Sequence, residues 1–187
     1  MHTGASGLTV DEIVDLLGGG ADAALGPGMA LSQLDHALQT AASLATTASS
    51  DGELVAAGLV HDIGHLLPGV GDESHAVAGA DAVRGALGAR VAGLVALHVD
   101  AKRYLLATDP GYWDQLATDS VASLAHQGGS FSATEAEAFR ARPLAAAALA
   151  LRRADEEAKV QGRRVEGLEH WVPLLRKLSD GGGWSVS

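Results

Sequence analysis

Histidine and aspartate residues recur in this chain at positions that would face the interior of a helical protein. His61 and Asp62 end an apolar segment, and His65 follows His61 by one helical turn. Such polar and charged side chains are costly to bury unless they are paired or bind a metal ion. The His-Asp-Ile-Gly-His string of residues 61–65 therefore indicates a metal site.

Further candidate ligands lie singly on neighbouring predicted helices. His36 precedes the His-Asp pair by one helix, and His75 and His98 follow it on the next two. Asp155 lies in a late helix rich in Ala and Leu. Each residue alone is better interpreted as a surface residue or a satisfied interior polar residue. Together they predict a two-metal centre, because a helical bundle can direct such residues into one cavity, with Asp62 as the bridging ligand. The predicted metal ligands are His36, His61, Asp62, His75, His98 and Asp155.

Two cationic residues share helix faces with these ligands. Lys102 follows His98 by four residues, and Arg152 precedes Asp155 by three. Cations beside metal ions repel them unless an anion binds between, so the pattern indicates an anionic substrate such as a phosphate or a phosphonate. The alternative for either cation is an ion pair with a surface carboxylate.

Two serines three residues apart, Ser120 and Ser123, lie on another predicted helix. Their hydroxyl groups could donate hydrogen bonds to the same anion. Taken alone, they are better explained as serines on a solvated helix surface.

The composition limits the metal and the partners. The 187 residues include no Cys, so thiolate ligands are excluded, and sites of His, Asp and Glu suit iron, manganese or zinc. The net charge of −10 argues against binding to the phosphate backbone of nucleic acids. The sequence shows neither an apolar run as long as a membrane span nor a signal-peptide pattern. We therefore expect a cytoplasmic enzyme without nucleic-acid or membrane partners, and the sequence indicates no oligomeric state.

The composition also predicts the fold. The chain is 47% hydrophobic but only 4% aromatic, and it is rich in the helix formers Ala and Leu. We expect a single all-α domain of seven to eight helices over residues 1–187, with its core at about 30–178 and a loose segment at either end. Five of the predicted helices run, to within about a residue or two, from the Asp51 cap to Leu66, from Ser74 to Leu87, from Ala89 to Leu106, from Pro110 to His126 and from Pro143 to Val160.

At these motifs the chain resembles the HD-domain mixed-valence diiron oxygenases, and among them the phosphonate oxygenase (PhnZ-type) branch. The resemblance covers about residues 30–160. Its most specific parts are the His-Val-x-Ala-Lys-Arg-Tyr segment that begins at His98 and the Gln-Gly-Gly segment that begins at Gln127.

The resemblance implies an HD-domain helical bundle whose six predicted ligands hold an Fe(II)/Fe(III) pair. It also implies that O₂ and a small anionic substrate, a 1-hydroxyalkylphosphonate, react to give phosphate and a carboxylic acid. By position, five residues would bind the phosphonate, and the first two of them would also be catalytic: His65, Lys102, Ser120, Ser123 and Arg152.

The chain departs from this family at two positions. In members specific for aminoethylphosphonate, an aromatic and an acidic residue sense the substrate amine, and this chain has Gly26 and Met29 there. Neither can bind an ammonium group or ligate iron, and the nearest upstream acid is Asp22. We therefore expect a substrate without an amine, such as hydroxymethylphosphonate.

The main alternative is an HD-type metal-dependent phosphohydrolase that acts on a nucleotide or another phosphate ester. The core ligands of that family would be present as well, with a metal-bound hydroxide as nucleophile: His36, His61, Asp62 and Asp155. The further ligands His75 and His98 also occur in some dinuclear hydrolases. Lys102 and the Gln-Gly-Gly segment favour the oxygenase. An inositol-oxygenase-like enzyme would not need the anion site, and a non-catalytic HD module would usually have lost some of the six ligands.

Overall fold

A computed structural model describes residues 7–26 and 29–182 of the chain, and over these ranges the protein is helical. The α-helices are α1 (Val10–Gly19), α2 (Gln33–Thr47), α3 (Gly52–Val60), α4 (His75–Thr108), α5 (Thr118–Leu124), α6 (Ala133–Arg140), α7 (Ala145–Glu157) and α8 (Leu168–Ser179). The only β-type pairing in the described ranges is one isolated bridge before α2. The predicted all-α class is confirmed. Residues 1–6 and 183–187 of the segments expected to be loose lie outside the described residues. The core begins earlier than the expected residue 30, because Ile13 and Leu17 of α1 are buried.

Four helices form the centre of the bundle, where α2, α3, α4 and α7 pack against one another. Helix α3 is apolar on nearly every face, and all of its residues except Glu53 are buried. Gly58 on α3 allows α2 to approach closely, because a methyl group at this position would lie 2.5 Å from Leu44 Cδ1. Helices α1 and α8 pack on each other, and α6 packs against α4 and α7.

Helix α4 consists of two helical pieces joined at a kink. Gly88 has φ 86° and ψ 171°, a conformation outside the helical region that glycine adopts readily. The sequence had predicted two helices that meet at this point, and the kink agrees with that prediction. His75 begins the first piece and His98 lies on the second. The kink therefore fixes how two of the predicted ligands approach each other.

Length and hydropathy alone would allow α4 to cross a membrane. The core helix of a globular bundle passes the same test. Here the helix contains the buried polar residues His75, His98 and Lys102, and it packs against α3 and α7. We therefore assign it to the core of the bundle.

The predicted helix from Asp51 to Leu66 ends earlier than expected, at Val60. Asp62 leaves the helical conformation, with φ −99° and ψ 9°, and a 3₁₀ segment follows over Ile63–Leu66. The early end turns the Asp62 side chain toward α4 and lets the following 3₁₀ segment pack against the start of that helix.

The predicted helix from Pro110 to His126 is wrong in its first half. Asp109 Oδ1 accepts a hydrogen bond from the backbone N–H of Gly111, which forms a local turn instead of a helix start. A short 3₁₀ segment follows at Trp113–Gln115, and α5 begins only at Thr118. The predicted helix from Pro143 is closer to the structure, since α7 begins at Ala145.

Candidate metal centre

Four buried histidine rings are held by the same kind of contact, in which Nδ1 lies within hydrogen-bond distance of a main-chain carbonyl oxygen. The pairs are His36 with Ala158 (3.1 Å), His61 with Gly58 (2.8 Å), His75 with Asp72 (2.6 Å) and His98 with Val95 (2.6 Å). A carbonyl oxygen can only accept, so each ring donates its Nδ1–H and presents the lone pair of Nε2. This is the tautomer that a metal ligand needs.

The Nε2 atoms of these rings meet in pairs. His36 Nε2 lies 3.2 Å from His61 Nε2, and His75 Nε2 lies 3.0 Å from His98 Nε2. Two lone pairs that face each other at this distance repel unless a proton or a cation lies between them. The donor set therefore fits a cation at each pair.

Asp62 connects the two pairs through its two carboxylate oxygens. Its Oδ2 lies 3.4 Å from His61 Nε2 and 3.7 Å from His36 Nε2. Its Oδ1 lies 3.3 Å from His98 Nε2 and 3.6 Å from His75 Nε2. One carboxylate that offers a different oxygen to each histidine pair has the geometry of a bridging ligand between two metal ions.

Asp155 joins only one of the two pairs. Its Oδ1 lies 3.2 Å from His36 Nε2 and 3.8 Å from His61 Nε2. We call His36, His61, Asp155 and Asp62 Oδ2 the first site. We call His75, His98 and Asp62 Oδ1 the second site. The second site has fewer protein ligands, so it would leave more coordination positions for a substrate.

The ionisation states of the ligands suit metal binding. Burial alone would raise the pKa of both carboxyl groups, but His61 beside Asp62 and Arg152 beside Asp155 hold each pKa well below its usual range. Burial, together with the neighbouring His98, lowers the pKa of His75 to about 3. At the first site, burial opposes protonation of His61, but the nearby Asp62 raises its pKa to about 9. A metal ion there would therefore displace a proton.

A cavity of about 100 Å³ opens on the second site. Its lining includes three ligands of the second site, Asp155 of the first site and three cations: Asp62, His75, His98, Asp155, Lys102, Arg152 and a further lysine, Lys159. We call the part of the cavity lined by the three cations the anion pocket. The structure therefore brings the two predicted cations to the predicted metal ligands.

Lys102 is a buried cation that makes no ion pair with a carboxylate among the described residues. Its side-chain nitrogen donates to Ser123 Oγ at 2.9 Å and to the Ser120 carbonyl at 3.4 Å. In the described part of the chain no carboxylate lies within ion-pair distance of Nζ. Burial and the neighbouring Arg152 lower the pKa of Lys102 to about 8. An anion in the pocket would relieve this unfavourable charge.

Arg152 is buried as well, but it is surrounded by partners. Its guanidinium donates to Tyr112 Oη at 2.7 Å and to Ser120 Oγ at 3.0 Å, and it also binds the carboxylates of Asp155 and Glu156. Although burial opposes the charge, the neighbouring Asp155 raises the pKa of Arg152 above its usual value. The alternative of a surface ion pair is wrong for both cations, because only 3% of Lys102 and 4% of Arg152 is exposed.

The two serines differ in their bonding. Ser120 Oγ donates its one proton to Glu156 Oε2 at 2.9 Å, and it accepts from both Arg152 and Lys159. Ser123 Oγ accepts from Lys102, and it lies 3.2 Å from the Ser120 carbonyl. Ser120 therefore organises the cations of the anion pocket, and this bonding does not favour the predicted donation to an anion.

His65 lies at the rim of the cavity on the 3₁₀ segment. Its ring stacks on that of His75 with 3.9 Å between centroids, and its Nε2 lies 3.8 Å from Asp72 Oδ1. The side chain is 26% exposed. His65 thus contacts both a predicted metal ligand and solvent.

Sequence reasoning missed several residues of the site. Glu156 and Lys159 follow Arg152 by four and seven residues, which is the spacing of one face in the predicted helix that runs to Val160, so this spacing could have identified them. Tyr112 lies in the irregular segment after α4, and Asp119 lies at the start of α5. No helical periodicity in the sequence predicts either residue as part of the site.

Gly26 lies against α5, close to this cavity. A methyl group at Gly26 would be 3.1 Å from Asp119 Cβ and 3.3 Å from Met29 Sδ. An acidic residue therefore does approach Gly26, from a distant part of the chain. Its Oδ2, however, is bound by Lys159 at 2.9 Å.

The model of the HD domain family matches residues 34–159, which include all six predicted metal ligands. The chain belongs to the HD-domain family. The match extends through α7 to Lys159, the last residue of the anion pocket.

Three relatives of this HD domain span most of its length. It is 37% identical over 150 residues to hydroxymethylphosphonate dioxygenase of Gimesia maris, covering 75% of this chain and 74% of that protein. It is 31% identical over 188 residues to a 1-hydroxy-2-(trimethylamino)ethylphosphonate dioxygenase (glycine-betaine-forming) of Leisingera caerulea, covering 94% of both. Uncharacterized protein L432 of Acanthamoeba polyphaga mimivirus is 28% identical over 158 residues, covering 79% of this chain and 72% of that one. The resemblance to the phosphonate oxygenase branch is confirmed.

Proposed function

We propose that this HD domain is an O₂-dependent diiron oxygenase that cleaves the carbon–phosphorus bond of hydroxymethylphosphonate. The reaction balances as HOCH₂PO₃H₂ + O₂ → HCOOH + H₃PO₄. The C–P bond breaks, the carbon is oxidised to formate, O₂ is reduced, and each product gains one oxygen atom. We propose further that the metal is iron, that two ions bind per chain and that the enzyme is cytoplasmic.

The observation that carries the proposal is the position of Lys102. It is a buried lysine without a carboxylate partner among the described residues, and it lines the same cavity as Asp62 and His98. A buried, uncompensated cation is unfavourable by several kcal/mol unless a ligand neutralises it. A phosphonate that reaches both Lys102 and the second site supplies that charge.

The size of the cavity supports a small substrate. Pockets for drug-sized ligands commonly enclose about 300–1,000 Å³, whereas this cavity encloses about 100 Å³. A nucleotide would not fit without a large rearrangement. Hydroxymethylphosphonate has one carbon atom and no side chain. The phosphohydrolase alternative is not favoured, since the two relatives that have a functional name are named dioxygenases.

The surroundings of Gly26 support a substrate without an amine. Asp119 is the acidic residue nearest to Gly26, but Lys159 already neutralises it. An ammonium group would therefore have to compete with a buried lysine for this carboxylate. The name of the Gimesia maris relative agrees with the smaller substrate.

Each group of residues in the site would have its own role in this reaction. Lys102 and Arg152 orient the phosphonate, while the carbonyl contacts of the histidine rings hold their Nε2 atoms in place. Two iron ions held by the six ligands would supply Lewis-acid binding and redox chemistry. His65 at the rim of the cavity would exchange the proton of the substrate hydroxyl with solvent, and its stacking on His75 holds the ring in place.

A direct assay tests the proposed function. Iron-loaded protein is mixed with hydroxymethylphosphonate, 1-hydroxy-2-aminoethylphosphonate or 4-nitrophenyl phosphate, with and without O₂. We expect phosphate release from hydroxymethylphosphonate in the presence of O₂, and slower release from the amine-bearing compound. Release of phosphate from 4-nitrophenyl phosphate without O₂ would support the phosphohydrolase instead.

A further inference from the structure

Lys159 is a third buried cation in the wall of the cavity. Its side chain is 6% exposed, and it follows the end of α7. Nζ donates to Asp119 Oδ2 at 2.9 Å and to Ser120 Oγ at 2.6 Å. The carboxylates of Asp155 and Glu156 lie farther away, at 3.7 and 3.6 Å. Burial opposes its charge, but Asp155 raises the pKa of Lys159 above its usual value.

The hydrogen bonds of the three cations in the anion pocket leave some of their N–H groups unused. Lys159 uses two of its three N–H groups, and Lys102 also uses two of three. Arg152 uses four of its five. Within the described residues, each cation therefore keeps one N–H group without an acceptor within hydrogen-bond distance.

This remaining set of donors matches a particular type of anion. A phosphonate has three oxygen atoms on one phosphorus and carries up to two negative charges. Three N–H groups from three separate cations could each bind one of these oxygens. A carboxylate, with two oxygens and one charge, would leave one of the three donors unused.

We propose that Lys159 is a third cationic ligand of the substrate's phosphonate, in addition to Lys102 and Arg152. This inference rests on the proposed function and names a further substrate-binding residue for it. Asp119 and Ser120 hold the Lys159 ammonium group in place before the substrate binds. Because these two residues belong to α5, Lys159 also couples the anion to the helix that covers the pocket.

Binding of methylphosphonate tests the proposal without requiring turnover, because this compound has no hydroxyl group to oxidise. Isothermal titration calorimetry is performed on metal-loaded wild type, Lys159→Gln and Lys159→Arg, with the metal content measured in each sample. We expect Lys159→Gln to bind methylphosphonate about 10 to 100 times more weakly at unchanged metal content, as for the loss of a charge-assisted hydrogen bond. Lys159→Arg keeps the charge and should recover most of the affinity. Lys177→Gln removes a lysine on the exposed end of α8 and serves as the matched control.

A second measurement uses the unaltered chain, in case Lys159→Gln does not fold. The sequence has three lysines, so a ¹⁵N-lysine spectrum of zinc-loaded protein is simple to assign. Methylphosphonate should shift the Nζ signals of Lys102 and Lys159 at the same saturation and leave that of Lys177 in place. An unmoved Lys159 signal, or affinity of Lys159→Gln within threefold of wild type, would overturn the proposal.

The two proposals can fail separately. Wild type that binds methylphosphonate but releases no phosphate from hydroxymethylphosphonate would refute the proposed function and leave the role of Lys159 testable. Wild type that does not bind methylphosphonate at all would refute the inference about Lys159.

Discussion

The Nε2 atoms of His75 and His98 face each other at 3.0 Å, although Nδ1 of each ring lies against a main-chain carbonyl. Both rings therefore present a lone pair to the same point. Asp62 Oδ1 lies on the same side, 3.3 Å from His98 and 3.6 Å from His75. Two neutral imidazoles and one carboxylate around a single point form a cation site, and this is the half of the centre that faces the anion pocket.

Removing one ligand of the second site should remove one metal ion. We expect His98→Ala to contain about one metal ion per chain where wild type contains about two, because the first site keeps His36, His61 and Asp155. Activity should be lost, since the substrate is held at the second site. Elemental analysis by mass spectrometry measures the content. A variant that still binds two ions would contradict the division into two sites.

Removing the charge of Lys102 should stabilise the fold and weaken substrate binding. Its pKa is about 8 in the folded protein against 10.5 as the reference. Below pH 8 the charged Lys102 therefore lowers the stability of the folded protein. This destabilisation disappears as the pH rises from 8 toward the pKa of lysine in the unfolded chain. Lys102→Met should raise the free energy of unfolding of the metal-free protein by about 1–3 kcal/mol at pH 7, as measured in urea.

The same variant should fail as an enzyme at low substrate concentration. We expect Lys102→Met to retain both metal ions but to raise KM for the phosphonate by about tenfold or more. Unchanged turnover at low substrate concentration would show that Lys102 does not bind the anion.

Substrate affinity should fall when Lys102 loses its proton. Burial and Arg152 lower its pKa to about 8, so the neutral amine predominates above that pH and no longer attracts a phosphonate that is fully ionised there. KM should rise above pH 8 as the Lys102 proton is lost. Lys102→Arg should move this rise to higher pH, because arginine keeps its charge. The comparison requires initial rates between pH 6.5 and about 9.5; identical pH profiles for both proteins would rule out Lys102 as the titrating group.

The glycine of the His-Asp-Ile-Gly-His string should be irreplaceable. A methyl group at Gly64 would lie 2.0 Å from the carbonyl oxygen of His75, so the 3₁₀ segment and α4 would have to separate. We expect Gly64→Ala to lower the melting temperature and the metal content together. Gly85 is the control, since it lies on the exposed face of α4 with no atom within 4 Å of a new methyl group. Gly85→Ala should stabilise the protein by about 0.5–1 kcal/mol.

Much of the metal centre could be predicted because each ligand is a polar or charged residue in an apolar helical segment, where burial is unfavourable unless the side chain has a partner. His36, His98 and Asp155 each lie on a predicted helix with apolar surroundings. The structure brings His98 and Asp155 to one cavity and places His36 Nε2 3.2 Å from Asp155 Oδ1. The composition predicted the all-α class, and the resemblance implied the HD-domain fold, which is confirmed. The roles of these residues as metal ligands stay predictions until metal is measured.

The anion pocket was predicted less completely. Lys159 follows Asp155 by four residues, so helix-face spacing could have indicated it. The contacts of Ser120 with Glu156 and of Arg152 with Tyr112 join residues 36 and 40 positions apart. Such pairs depend on how the irregular segment before α5 folds back over α7. No local pattern in the sequence encodes that path.

The stoichiometry of the reaction tests the central claim most directly. Iron-loaded protein is given limiting hydroxymethylphosphonate in an oxygen-electrode cell, and the consumed O₂, released phosphate and released formate are measured in the same sample. We predict equal amounts of all three and no phosphate when O₂ is removed. Phosphate release that continues without O₂, or O₂ uptake without cleavage of the carbon–phosphorus bond, would contradict it.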